Sequence, residues 1–103
     1  MLVKILIRRR FKEGNAKQIQ ALLKEFRAGA MNREGYITGE TLISLEDPQE
    51  LMVIGTWESM DAWKRWRENE ARKRFEAMLE IYQDGPTRYE AFALGALTID
   101  DTD

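Results

Sequence analysis

Two strand-like runs, residues 36–45 and 51–57, are separated by little more than Asp47-Pro48-Gln49. A parallel crossover needs about a dozen residues or more, so a gap this short joins antiparallel neighbours through a turn. The hairpin runs directly into ESMDAWKRW, which reads as a helix start. Ser59 is placed to cap it, and Asp61 puts a negative charge in the first turn, where the helix dipole favours one. Met60, Trp63 and Trp66 or Arg67 then fall on one helical stripe. A hairpin leading into an aromatic helix fixes the centre of the fold.

The flanks complete a symmetrical pattern. Residues 2–11 alternate as a strand, with Val3, Ile5 and Ile7 on one face and Leu2, Lys4, Leu6 and Arg8 on the other. Asn15 and Gln18 have the spacing of a capping box, and Ile19, Leu22, Leu23, Phe26 and Ala30 form an apolar helical stripe. Gly35 is expected as the glycine just past that helix. After a break near Asn69, Ala71, Phe75, Met78 and Tyr82 give another stripe. Gly85-Pro86 stops it, and residues 87–97 read as a fourth strand. The order β-α-β-β-α-β predicts an α+β fold, a ferredoxin-like plait of two halves at about residues 1–46 and 50–98. We expect one domain over residues 1–103, ending in an acidic tail at 98–103.

Composition narrows the chemistry. The sequence contains no His and no Cys, which removes the imidazole base, the thiolate nucleophile and their metal chemistry. No cofactor and no metal are expected. No apolar run reaches the ~18 residues of a membrane span, and MLVKILIRRR places its charges after its apolar residues, unlike a signal peptide. The expectation is a cytoplasmic protein with no membrane partner. Arg8, Arg9, Arg10 and Lys12, with Lys64, Arg65, Arg67, Arg72, Lys73 and Arg74, form two basic runs. Glu68 and Glu70 interrupt the second, so both read as solvated faces. Residues 2–7 and 51–56 lack the stacking aromatics of an RNA-recognition sheet. No nucleic acid is expected.

The third strand is apolar on both faces, with Leu51, Val53 and Trp57 on one and Met52 and Ile54 on the other. Covering about 500 Å² of further apolar area is worth roughly 12 kcal/mol before association costs. A homodimer is the simplest cover, with either Val53 or Ile54 facing the partner.

The stretch GYITGETLISLEDPQELMVIGTWESMDAWKRW, within the βαββαβ order, resembles the antibiotic biosynthesis monooxygenase family of dimeric α+β barrels. That resemblance implies two sheets face to face and a pocket in each subunit between its sheet and helices. It further implies an oxidoreductase or monooxygenase acting without a cofactor on a small aromatic or electron-rich organic substrate. Trp66 falls where the haem-degrading branch keeps a pocket tryptophan. Glu76 stands at that branch's haem-binding His, and its first-strand Asn is missing here. Ala62 and Arg72 occupy the places where the phenol-oxidising branch uses an Asn and a Tyr. A carboxylate is a poor haem ligand, so haem degradation is not expected.

The candidates for catalysis are therefore Trp66, Tyr36 and Glu40, and those for substrate contact are Trp63, Trp66 and Glu76. Each has a plain structural alternative: core packing for the tryptophans, a buried ring with a wet hydroxyl for Tyr36, a solvated strand position for Glu40, and a surface helix position for Glu76. The alternative function is a non-catalytic ligand-binding or interaction module on the same barrel.

Overall fold

The computed structural model describes residues 1–95. The end of the expected last strand and the acidic tail at 98–103 lie outside the described residues. Seven elements follow one another: β1 (Val3–Arg10), α1 (Ala16–Met31), β2 (Tyr36–Ile43), β3 (Glu50–Trp57), α2 (Met60–Arg67), α3 (Glu70–Glu80) and β4 (Arg88–Ala93). The strands form one antiparallel sheet in the order β2-β3-β1-β4. The α+β, ferredoxin-like plait is what the element order predicts.

Period-two alternation holds along β1, where Val3, Ile5, Ile7 and Arg9 are all buried. The register pairs Ile7 with Val53 and Leu6 with Ile54. Val53 therefore shares the helix-covered face, and Ile54 shares the opposite one. Trp57, Trp63, Trp66, Phe26, Ile5 and Leu79 build the core between the sheet and the helices.

The helix boundaries follow local chemistry with two corrections. Ser59 accepts a hydrogen bond from the Ala62 N–H at 3.1 Å, and Asn69 splits the second helical segment by capping α3 at Ala71 N–H, 2.8 Å. Asn15, however, makes no side-chain cap bond to α1; its amide donates to the Glu13 carbonyl instead. Gly35 is not the residue ending α1 either, since that helix stops at Met31 with Asn32 as its cap. Gly35 instead opens β2 at φ +86°, where a Cβ would stand 2.4 Å from Ala62 Cβ.

The face of α3 also differs from the apolar stripe expected for it. Arg72, Glu76 and Leu79 are buried, while Met78 is exposed. Arg10 joins three segments by donating to Asp47 at 3.0 Å and to Asp84 at 2.6 Å. The hydrogen bond and charge of Asp47 raise its pKa above the ordinary value.

Candidate active site

A cavity of about 70 Å³ lies between the sheet and the helices. Its sheet wall includes Ile7 and Arg9 of β1, Tyr36, Gly39 and Thr41 of β2, and Val53, Gly55 and Trp57 of β3. Phe26 and Ala30 of α1, Trp63 and Trp66 of α2 and Arg72 of α3 close the other side. Exposed Arg27, Glu40 and Thr41 border its mouth. An enclosed benzene needs a cavity of about 150 Å³, so a ring entering here must project through the mouth.

Two paired glycines shape the floor. Gly39 and Gly55 face each other across β2 and β3. A Cβ on Gly39 would stand 2.7 Å from the Tyr36 hydroxyl, and one on Gly55 would stand 3.2 Å from Trp57 Nε1. Their bare backbones let the phenol and the indole lie over the sheet. The Tyr36 and Trp57 rings meet edge-on at 5.4 Å, and Trp57 contacts Trp63 at 6.0 Å. On the opposite wall Phe26 meets Trp66 edge-on at 6.2 Å and stacks on Phe75 at 5.2 Å. Gly29 of α1 allows this, because its Cβ would come within 3.3 Å of the Trp66 ring.

Behind the rings lies a buried ionic cluster. Arg9 and Arg72 are each 3% exposed and Glu76 is 9% exposed. Arg9 donates from Nη2 to Glu76 Oε1, and Arg72 Nη2 donates to the same oxygen at 3.3 Å. The Tyr89 hydroxyl donates to it as well, at 3.2 Å, and itself accepts from Arg72 at 3.2 Å. Thr87 offers its hydroxyl to Glu76 Oε2 at 3.4 Å. The Arg72 guanidinium carbon lies 4.9 Å from the Trp63 ring centre, 5.3 Å from that of Phe26 and 5.5 Å from that of Tyr89.

The structure thus brings Tyr36, Trp63 and Trp66 together around one cavity. Glu40 stands at the mouth, exposed and paired with Ile54; strand alternation turns its side chain to the sheet face away from the helices. Glu76 does not border the cavity. It sits one layer behind Arg9 and Arg72, facing a separate groove with Thr87, Pro86 and Tyr89. Ala62 is buried against Gly35. Sequence reasoning missed Arg9, Arg72, Phe26, Trp57 and the glycine pair as cavity residues. Arg9 was detectable, since it continues the Val3, Ile5, Ile7 alternation.

Comparison with known proteins agrees with this fold. No curated protein sequence matches the chain. Among solved structures, a conserved protein from Methanosarcina mazei Go1 is similar at 16% identity and a TM-score of 0.83, covering 89% of this chain and 91% of its own. SnoaB, a cofactor-independent oxygenase from Streptomyces nogalater, is similar at 13% identity and a TM-score of 0.81, with 96% and 98% covered. Rv0793 from Mycobacterium tuberculosis is similar at 15% identity and a TM-score of 0.82, with 96% and 100% covered. Identities this low carry the fold alone. The sequence itself matches the antibiotic biosynthesis monooxygenase profile over residues 2–78, and the chain belongs to the antibiotic biosynthesis monooxygenase family.

Proposed function

We propose that the chain is a cofactor-independent monooxygenase acting on a small aromatic or electron-rich organic substrate in the cavity between sheet and helices. The observation that carries this is the cavity wall itself: Trp57, Trp63, Trp66, Phe26 and Tyr36 converge on one opening beside buried guanidiniums. Flat apolar surfaces position an aromatic ring, and the removal of water strengthens every charge that acts on it. A deprotonated phenol can reduce O₂ directly, so the electrons come from the substrate. In the balanced reaction, phenol and O₂ give quinone and water. One ring C–H is replaced by C=O using one oxygen atom, and the phenol O–H becomes the second C=O. The other oxygen atom leaves as water, and the substrate supplies all four electrons.

Within this reading Trp63 and Trp66 are walls and Tyr36 is the polar group nearest the substrate. Glu40 can serve as base only by reaching round the edge strand β2. Glu76 acts through Arg9 and Arg72. Oxygen uptake with a panel of quinols and polyphenols, without added flavin, metal or haem, tests the proposal. Saturable uptake with at least one compound is expected; a whole panel at the uncatalysed rate would sink it. One observation favours a non-catalytic binding module as the second reading: the buried carboxylate Glu76 already serves Arg9, Arg72, Tyr89 and Thr87 and is not free as a base.

The working unit in this reading is a cytoplasmic homodimer. The sheet face away from the helices carries Leu6, Met52, Ile54, Leu42 and Phe92, the last two exposed. None of the helices among the described residues is long and apolar enough to cross a membrane. Sedimentation should give twice the chain mass at micromolar concentration. Ile54→Asp should give a folded monomer, because it puts a charge in the dimer seam and not in the core. A monomeric parent, or an Ile54→Asp variant that remains dimeric, contradicts this arrangement.

A further inference from the structure

We propose that the cavity takes its ligand as a monoanion: an aromatic molecule with one negative charge on oxygen, either a carboxylate or an ionised phenol, set against Arg9 and Arg72. This rests on the cavity being the substrate site and not on the oxygenase chemistry.

The argument begins with charge. Arg9 and Arg72 are buried, and among the described residues Glu76 is the carboxylate that pairs with each of them. Two positive charges thus meet one negative charge. Arginine does not give up its proton inside a protein, and a buried charge without a counter-ion costs several kcal/mol. Among the described residues the cluster lacks one negative charge.

Hydrogen bonding points the same way. Among the described residues the hydrogen bonds of Arg9 and Arg72 leave from Nη2. Among those residues the Nε–H groups of both are buried without an acceptor, a condition that native structures avoid. The rings of Phe26, Trp63 and Tyr89 offset part of the charge. They supply neither a counter-charge nor an acceptor in the plane of the guanidinium.

Geometry puts the deficit on the cavity side. Arg9 and Arg72 border the cavity and Glu76 does not, so the excess positive charge faces the ligand while its partial compensation lies behind. At the mouth, Arg27 donates to the Gly39 carbonyl at 2.8 Å and adds charge of the same sign. The Glu40 side chain belongs to the opposite sheet face. An anionic oxygen inserted first would meet the guanidiniums, with its ring projecting from between the aromatic walls through the mouth.

The test is equilibrium binding to the intact protein at low salt, followed by tryptophan fluorescence. Benzoate is compared with its neutral isostere benzamide, and phenol is titrated from neutral pH towards its pKa near ~10. Benzoate should bind at least about tenfold more tightly than benzamide, or phenol affinity should climb about tenfold per pH unit. The first result assigns a carboxylate and the second an ionised phenol. In Arg72→Met the remaining Arg9–Glu76 pair is balanced, so the anion preference should fall within about threefold of unity while the thermal midpoint holds or rises. If that variant does not fold, the wild-type comparison decides alone. The proposal is overturned by a benzamide affinity within threefold of benzoate's together with a phenol affinity flat in pH. It is equally overturned by no binding of either anion at about 10 mM, or by full anion preference surviving in folded Arg72→Met. Binding needs no turnover. Benzoate preference without oxygen uptake keeps this proposal and removes the oxygenase reading, and uptake without anion preference does the reverse.

Discussion

Glu76→Gln should lower the thermal midpoint by on the order of 20 °C, which corresponds to about 3–5 kcal/mol in a domain of this size. The size of the effect comes from what remains. The amide can still accept a hydrogen bond, but Arg9 and Arg72, both 3% exposed, lose their shared negative charge. Two buried guanidiniums then face each other and a set of aromatic rings. Glu80→Gln, one turn further along α3 and exposed, removes the same charge from the surface and should change stability by no more than about 0.5 kcal/mol. Thermal unfolding followed by circular dichroism compares the two. Equal midpoints would mean that Glu76 does not hold the cluster.

Gly35→Ala should cost about 3 kcal/mol. Left-handed backbone at φ +86° disfavours any L side chain, by about 1–2 kcal/mol. The new Cβ would also stand 2.4 Å from Ala62 Cβ, and overpacking of this kind adds about 1–3 kcal/mol. The strain concentrates where β2 begins against α2, a junction already tied by the Glu58 N–H to Gly35 carbonyl bond at 2.8 Å. Gly14→Ala separates the two causes. Gly14 has φ +96°, and a Cβ there would meet nothing within 4 Å, so it carries the backbone cost alone, about 1–2 kcal/mol. Unfolding free energies from urea titration of the two variants should differ by roughly 1–2 kcal/mol, with separated midpoints. Indistinguishable midpoints would remove the contact between Gly35 and Ala62 from the account.

Much of the fold was legible because it rests on local rules. Asp47-Pro48-Gln49 between two apolar runs makes a hairpin, and alternation placed Val3, Ile5 and Ile7 inside. Ser59 caps as its position suggests, and at the break expected near Asn69 that residue caps α3. Asn15 had the right spacing but its side chain turns back to Glu13. Helical spacing puts Trp63 and Trp66 on one stripe, and that stripe faces the sheet.

The ionic cluster was not legible for a physical reason. Apolar periodicity reports which side chains avoid water, and Arg9, Arg72 and Glu76 are buried by pairing with one another across the fold. Arg9 and Glu76 lie 67 positions apart in the sequence, so neither one's neighbours reveal the other. Arg9 follows the inward alternation of β1, yet within Arg8-Arg9-Arg10 it reads as one charge in a solvated run. On α3 the four-residue spacing of Arg72 and Glu76, with Leu79 completing the face, was the available signal, and the more apolar stripe through Phe75 and Met78 obscured it. The floor made by Gly39 and Gly55 depends on the hairpin register, which brings the two glycines opposite each other.

The central claim is that the ring-lined cavity is where this protein acts, and Trp66→Phe tests it most directly when turnover and stability are measured on one preparation. Phenylalanine keeps most of the apolar volume against Phe26 and Gly29 but withdraws ring area from the cavity wall. With any substrate that supports oxygen uptake, kcat/KM should fall more than about tenfold, roughly 1.4 kcal/mol of transition-state stabilisation. The thermal midpoint should fall by only about 4–8 °C, the equivalent of about 1 kcal/mol. A large loss of stability with kcat/KM unchanged would show Trp66 to be core alone and would contradict the claim.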